Sequence, residues 1–415
     1  MLNTGRWAIA GGQTLLPTGL EVDAVVLVED GVVVEIGGST RGFPMLDASA
    51  RLVLPGMIDL HGDAFERQLM PRPGVHFDMR IALADTDRQM VANGISTAYH
   101  GVTHSWEPGL RSRESLVAFM EALEAARPHL SCDTRLHLRQ ETFNLDGEAD
   151  ALRWIADGRV DLLAFNDHTA DILKKLDQPL ESMTVLQRTR LSAEALRELA
   201  ERVAARADEV PASIGRLAAA AVAAGVPQAS HDDMTPEIRH AYQQLACDIS
   251  EFPKNRETAQ AARALGNHVV FGSPNVVRGG SHQKNAVGAS AMVAEGLCTI
   301  LTSDYYYPAM LQAPFRLAGD GACGFEDAWA LVSSNAADAA RLRDRGRLAV
   351  GQRADVLVVE PPAGMPARVV AHLIAGRLVH AIGNAPVAGS PLAQRGENGT
   401  SAQRQPAEAA SWVEP

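Results

Sequence analysis

Six side chains able to hold a divalent cation recur in one kind of place in this sequence. His61, Asp63, Glu141, His168, His231 and Asp304 each stand where an apolar run gives way to polar residues. The first two follow Leu52 to Leu60, a run that reads as a strand buried on both faces, and residues i and i+2 of a strand share a face. Nitrogen and carboxylate donors in this number suffice for two divalent ions sharing a bridging carboxylate, each keeping a position open to water. An ion so placed lowers the pKa of its water from near 16 to about 7, which makes hydroxide available at neutral pH. Asp304, last in the series, is placed to accept that water's proton and return it to a leaving group.

Singly, each residue has a plainer explanation. A histidine after an apolar strand is commonly tied to backbone, and Glu141 and Asp304 sit where a helix N-cap would. The joint pattern is what points to a metal site. Asp232 and Asp233 read as supporting partners or caps, and His137, inside a strand, as a core histidine. His100 and His104 also lie near a strand end.

These residues require elements that bring them together. After His61 a helical stretch, 80–93, leads to a strand at 95–103, and a helix at 114–126 leads to a strand at 134–139. A helix at 148–157 precedes a strand at 160–166. Further strands are read at 227–230, 248–252, 268–272 and 297–302, which makes eight alternating with helices. That number closes a parallel (β/α)8 TIM barrel, in which every strand's C-terminal end opens on one mouth. The predicted organisation is a barrel over 56–343 with an Ala-, Leu-, Glu- and Arg-rich helical insert near 185–226 placed to act as a lid. A β-sandwich is expected from 1–55 plus 344–383, because both segments run in short alternating strands broken by glycine. Residues 384–415, rich in Gly, Ser, Pro, Ala and Gln without periodicity, read as a disordered tail.

The chain has 415 residues, a formal net charge of -12, 46% hydrophobic and 21% charged residues. That balance suits a soluble globular protein and argues against nucleic acid as a partner, since phosphate backbones need a basic face. Four cysteines without C-x-x-C spacing disfavour a disulfide frame or a thiolate zinc site. The opening lacks the pattern of a secretion signal and no run approaches a membrane span, so a cytoplasmic protein without a membrane partner is expected. A homo-oligomer remains compatible with all of this.

The opening Leu54-Pro55-Gly56-Met57-Ile58-Asp59-Leu60-His61-x-Asp63, the closing segment from Gly346 to Asp355 and the His, His, Asp series resemble the amidohydrolase superfamily. Three stretches, 135–141, 229–233 and 272–282 with 302–306, are similar to its phosphonate-metabolism branch, which belongs to the carbon-phosphorus lyase pathway. The resemblance runs from about Val53 to His380. It implies the barrel and sandwich above, and all six residues as metal ligands, with Glu141 bridging where many relatives use a carboxylated lysine. It also implies one or two divalent ions, zinc first, with manganese, iron or magnesium as alternatives. The implied reaction is attack on the phosphorus nearest the sugar of a 5-triphosphate, with pyrophosphate leaving. Charge developing on phosphoryl oxygens calls for cations and backbone donors. Arg278, Gly279, Gly280, Ser281 and His282 are the candidates, with Arg72, Lys284 and Tyr305 beside them. Gln283 and Lys284 depart from the small residues expected there. The alternatives keep the metals and change the substrate to a cyclic amide, an N-acyl amine or a deamination substrate, or retire the barrel to a scaffold.

Overall fold

The computed structural model describes residues 5–40, 42–72, 74–280, 287–382 and 387–388. The expected tail therefore lies outside the described residues, apart from a short strand at Val387–Ala388. Eight parallel strands form one sheet in chain order. They are β1 Met57–Gly62, β2 Ile95–His104, β3 Asp133–Glu141, β4 Leu162–Asn166, β5 Gln228–His231, β6 Ile249–Glu251, β7 His268–Gly272 and β8 Ile300–Thr302. A parallel bridge between Gly62 and Asp304 brings the last strand back to the first, giving a nearly closed barrel with helices around it. This is the TIM-like barrel expected from the sequence.

Alternation along the strands builds the interior in layers. The lower layer is apolar: Ile58, Leu60, Tyr99, Leu162, Ala164, Ala229, Ile249, Val270 and Ile300, closed from below by Ala336, Ala337, Ala339 and Ala340. Two residues further along the same strands the layer turns polar, at Asn166, His231 and Glu251. In β1 the register with β2 shifts: Asp59 pairs with Ala98 and Gly62 with His100, so β1 advances three residues against two. Such a bulge bends the strand and re-aims the side chains at its end.

Residues from both ends form two further sheets, as the sequence led us to expect. Arg6–Ala10, Val26–Glu29, Val32–Ile36 and Met45–Asp47 belong to one, with Val387–Ala388 at its edge. Gln13–Leu16, Gly19–Val22, Leu52–Pro55, Val356–Glu360, Arg368–Ile374 and Arg377–Ala381 make the other. Trp7, Ile9, Val26, Val28, Val53, Val356 and Val358 fill the core shared by the two sheets. Gly56, between the sandwich strand Leu52–Pro55 and β1, has a steric cause. A Cβ there would lie 1.9 Å from Ser96 Oγ and 3.0 Å from Asp355 Cβ.

The helical region after β4 starts earlier than the sequence suggested. Helices run Thr169–Leu176, Pro179–Thr189, Ala193–Ala204 and Val210–Ala224. Leu217, Ala218 and Ala221 of the last pack into the same core as Ala151, Trp154 and Ile155, as an ordinary barrel helix would. The other helices have a small core of their own around Ile172, Val185 and Leu196. No helix among the described residues is long and apolar enough to cross a membrane, and all four cysteines are free.

Candidate active site

The C-terminal mouth of the barrel holds a cavity of about 370 Å³ lined by His61, Asp63, His168, His231 and Asp304. Five of the six ligand candidates thus meet although they span most of the barrel sequence. The first and last strands are stitched together beneath them. Asp304 N donates to the His61 carbonyl at 2.9 Å and Asp63 N to the Asp304 carbonyl at 3.0 Å. Asp59, fully buried, accepts from Ser303 N at 3.0 Å, Ser303 Oγ at 2.5 Å and His61 N at 3.3 Å. Gly272 leaves room for the Asp304 carboxylate, since a Cβ there would lie 3.0 Å from Asp304 Oδ2. Asp232, Phe252 and Asp304, each just past a strand end, have φ of 64°, 53° and 53°. Left-handed backbone at non-glycine residues costs energy and clusters at functional sites.

The sixth candidate, Glu141, is 2% exposed and does not line the cavity. It sits behind His168, accepting from the ring Nδ1 at 2.5 Å and from the backbone N at 3.0 Å. His61 is held in the same way by Glu251, whose Oε2 lies 3.2 Å from His61 Nδ1. A carboxylate behind a histidine fixes its tautomer and turns the other nitrogen outward. His231 differs: its Nε2 lies 3.4 Å from Arg139 Nη2, and its Nδ1 is buried without an aligned hydrogen-bond partner, 3.4 Å from Asp232 Oδ2.

Burial lowers the pKa of His61 well below the usual histidine value, with Arg139 and His231 adding to the effect. It is therefore neutral, the form that binds metal. Burial raises Asp63 to about 6, with Glu66 adding and Arg139 opposing. Burial and the neighbouring Asp63 charge raise Asp304 to about 7. Burial would raise Glu141 as well, but the His168 contacts win and hold it below its ordinary value. For Asp232 burial is likewise outweighed, by His231 and Lys254. Two carboxyls that resist ionising together, beside the neutral His61 imidazole and the rings of His168 and His231, make a donor set suited to a divalent cation. Donor atoms of His168, His231 and Asp232 lie within 4.8 Å of one another, as do those of His61, His231 and Glu251.

Six cationic side chains, Arg111, Arg139, Lys175, Arg188, Lys254 and Arg278, line the cavity together with Asp63, Asp232 and Asp304, and Lys254 pairs with Asp232 at 2.9 Å. Arg188, from the helix Pro179–Thr189, donates to Glu107 Oε2 at 2.6 Å, and Arg111 pairs with Glu66 at 3.5 Å. Of the substrate candidates read from the sequence, Arg278, Gly280 and Tyr305 line the cavity, and Arg278 Nη1 lies 3.4 Å from the Tyr305 hydroxyl. Gly279 adopts φ 77° as the cap of the helix Ser273–Arg278. Arg72 is exposed and is not part of the lining. Ser281, His282 and Lys284 lie outside the described residues.

Sequence reading did not single out Glu251, Arg139, Arg111, Lys175, Arg188 or Lys254. Glu251 carried the same signal as Glu141, a carboxylate ending a strand, but the strand is only three residues long. Arg139 precedes Glu141 by two and so shares its face. The other cations stand in loops and in the helices after β4, where nothing local separates them from solvated surface residues.

No protein-family model matches the chain. It is 33% identical over 326 residues to the alpha-D-ribose 1-methylphosphonate 5-triphosphate diphosphatase of Escherichia coli strain K12, an alignment covering 75% of this chain and 84% of the relative. The chain belongs to that family, within the amidohydrolase superfamily. A dihydroorotase of Citrifermentans bemidjiense matches at 42% over 57 residues, 13% of each chain. Among solved structures, a Xaa-Pro dipeptidase with bound methionine superposes with a TM-score of 0.63 at 12% identity, over 91% of this chain and 100% of that one. A 5-methylcytosine deaminase from Klebsiella pneumoniae gives 0.60 at 13%, over 91% and 98%. At these identities the structural matches establish the fold alone. Family membership makes this protein a hydrolytic enzyme.

Proposed function

We propose that the protein hydrolyses the triphosphate of a sugar 5-triphosphate, α-D-ribose 1-methylphosphonate 5-triphosphate in the first instance, to the 5-phosphate and pyrophosphate. The observation that carries this reading is the ring of six cationic side chains around a histidine and carboxylate cluster in one cavity. A neutral amide gives no reason for such a ring, whereas three linked phosphates carry several negative charges to match it. The name of the relative at 33% identity points the same way.

The residues that would hold a divalent ion, zinc in our reading, are His61, Asp63, His168, His231 and Asp304, with Glu141 and Glu251 orienting two of the histidines. Bound there, the ion would supply Lewis acidity and a water of lowered pKa. The protein's own groups do the rest. Arg278, Lys254 and Arg139 face the cavity where phosphoryl oxygens gain charge, and Arg111, Lys175 and Arg188 extend that field along the chain of phosphates. A water oxygen bonds to the phosphorus nearest the sugar as the bridge to the next phosphate breaks, its electron pair leaving with pyrophosphate. Asp304 accepts the water's proton at its carboxylate and passes it to the departing group. Tyr305, beside Arg278, is placed to line the sugar subsite.

A substrate screen tests this. Sugar and nucleoside triphosphates are compared with N-acyl amines and cyclic amides, using metal-loaded protein and pyrophosphate release as the readout. Pyrophosphate from triphosphates supports the reading, and turnover confined to amides or to deamination overturns it.

A further inference from the structure

Arg188 reaches the cavity from outside the barrel strands, and the chain fixes it there with some care. Its helix, Pro179–Thr189, belongs to the region after β4, and the last turn is set against the loop that follows β2. A Cβ at Gly109, φ 83°, would lie 2.2 Å from the Arg188 carbonyl oxygen, so only glycine permits that approach. Trp106 packs against the small core of Ile172, Val185 and Leu196, and its Nε1 donates to Thr169 Oγ1 at 3.2 Å.

Glu107, between those two contacts, determines how the guanidinium points. Its buried Oε2 accepts from Arg188 Nε at 3.0 Å and from Nη2 at 2.6 Å, while Ser105 Oγ donates to Oε1 at 3.4 Å. Held along that edge, Arg188 keeps Nη1 without a partner among the described residues. A carboxylate beside a site for a polyanion repels the ligand, so its presence there needs a reason. Ordering a flexible side chain in advance is one, since the arginine then loses less freedom when it binds.

The neighbours place Arg188 at the far end of the row of charges. Counted outward from Asp63, Glu66 with Arg111 comes first and Glu107 with Arg188 second: Glu66 and Arg111 act on Asp63, and Glu107 acts on both arginines. Past Arg188 the surroundings turn apolar. It also lines a neighbouring cavity of about 530 Å³, together with Leu69, Met70, Phe77 and Leu110. A row of phosphates beginning at the histidine and carboxylate cluster ends at this residue.

We propose that Arg188 is the specificity residue for the third phosphate, counted from the sugar, and that Glu107 is its positioning residue, so that the site prefers a 5-triphosphate to a 5-diphosphate. This rests on the reading of the cavity as a triphosphate-hydrolysing site and names the group that reads the length of the phosphate chain. Arg188 donates to oxygens of the distal phosphate, a charge-assisted contact that a diphosphate is too short to make.

Binding is measured separately from turnover, by calorimetry on metal-loaded protein. The probes are the α,β-methylene analogues of ribose 5-triphosphate and ribose 5-diphosphate, in which carbon replaces the bridge to be cleaved. The unsubstituted protein should bind the triphosphate analogue about 10- to 100-fold more tightly; equal affinities overturn the inference. Arg188→Met should erase that preference and leave the diphosphate affinity nearly unchanged. Because it strands a buried carboxylate, Arg188→Met combined with Glu107→Gln is made alongside and should show the same loss. A folded variant of either kind that keeps the preference overturns the role of Arg188. Glu107→Gln alone adds one positive charge to the site, so simple attraction predicts tighter triphosphate binding, whereas positioning predicts binding weaker by about 10-fold. Tighter or unchanged binding overturns the part given to Glu107. Pyrophosphate release from the triphosphate panel is measured on the unsubstituted protein. Release with equal affinities defeats this inference alone, and an Arg188-dependent preference without release from any triphosphate defeats the proposed function alone.

Discussion

Asp304 holds its carboxylate at the cavity from a left-handed backbone position, φ 53°. Asparagine tolerates that conformation better than most residues, so Asp304→Asn can keep the loop while removing the proton acceptor. We expect kcat to fall by about 10²- to 10⁴-fold with an unchanged circular dichroism spectrum; retention of more than a tenth of kcat would remove Asp304 from the proton transfer. Arg278, exposed and reaching toward Tyr305, has no buried partner to orphan among the described residues. Arg278→Ala should raise KM for a triphosphate by about 10-fold or more, in keeping with about 1.5–3 kcal/mol for a charged hydrogen bond, and should change the melting temperature little. Steady-state kinetics with varied triphosphate separates that outcome from a loss confined to kcat.

The strands hold these residues in place, and the junction at Gly56 is their tightest point. Gly56→Ala puts a methyl carbon within 1.9 Å of Ser96 Oγ, so the sandwich strand and β1 must separate. The expected cost is about 1–3 kcal/mol, read as a lower urea midpoint, and an unaltered midpoint would show that the junction yields. The same strands explain how much could be read beforehand. Buried parallel strands are continuous apolar runs, so the ends of β1, β4, β5 and β8 were visible as the places where His61, His168, His231 and Asp304 appear. β6, Ile249–Glu251, is too short for its end to stand out, and Glu251 was passed over. Glu141 was legible as a strand-end carboxylate, but its position behind His168 depends on how β3 and β4 are aligned, with Glu141 opposite Asn166. Arg139 was hidden for a related reason: strand alternation places it inside, and only the packing over Gly101 shows where its guanidinium goes. Lys175 and Arg188 come from helices whose approach to the mouth is a tertiary fact with no local signature.

At the scale of the molecule, the sandwich is fastened to the barrel through His372. Its Nδ1 donates to the Val91 carbonyl at 2.9 Å and its Nε2 contacts Ser96 Oγ at 2.8 Å. Burial lowers its pKa to about 4, against 6.5 for an ordinary histidine. The unfolded chain therefore binds this proton below about 6.5 while the folded protein refuses it until about 4, so the stability from this residue is complete above 6.5 and drains away as pH falls through that window. Asp59 and Asp355, raised to about 6 by burial, act in the opposite sense, binding protons in the folded state first. The wild-type slope is the difference between these effects, and a substitution isolates one of them. His372→Gln should be less stable than wild type at pH 7.5, and the gap should narrow by about 2 kcal/mol at pH 5, measured as urea midpoints at both pH values. A gap independent of pH would mean that His372 titrates alike in both states.

The account as a whole depends on where water enters. When a sugar 5-triphosphate is turned over in oxygen-18-labelled water, mass spectrometry should find the label in the sugar 5-phosphate and none in the pyrophosphate. Label in the pyrophosphate, or orthophosphate as the released product, would contradict attack at the phosphorus nearest the sugar.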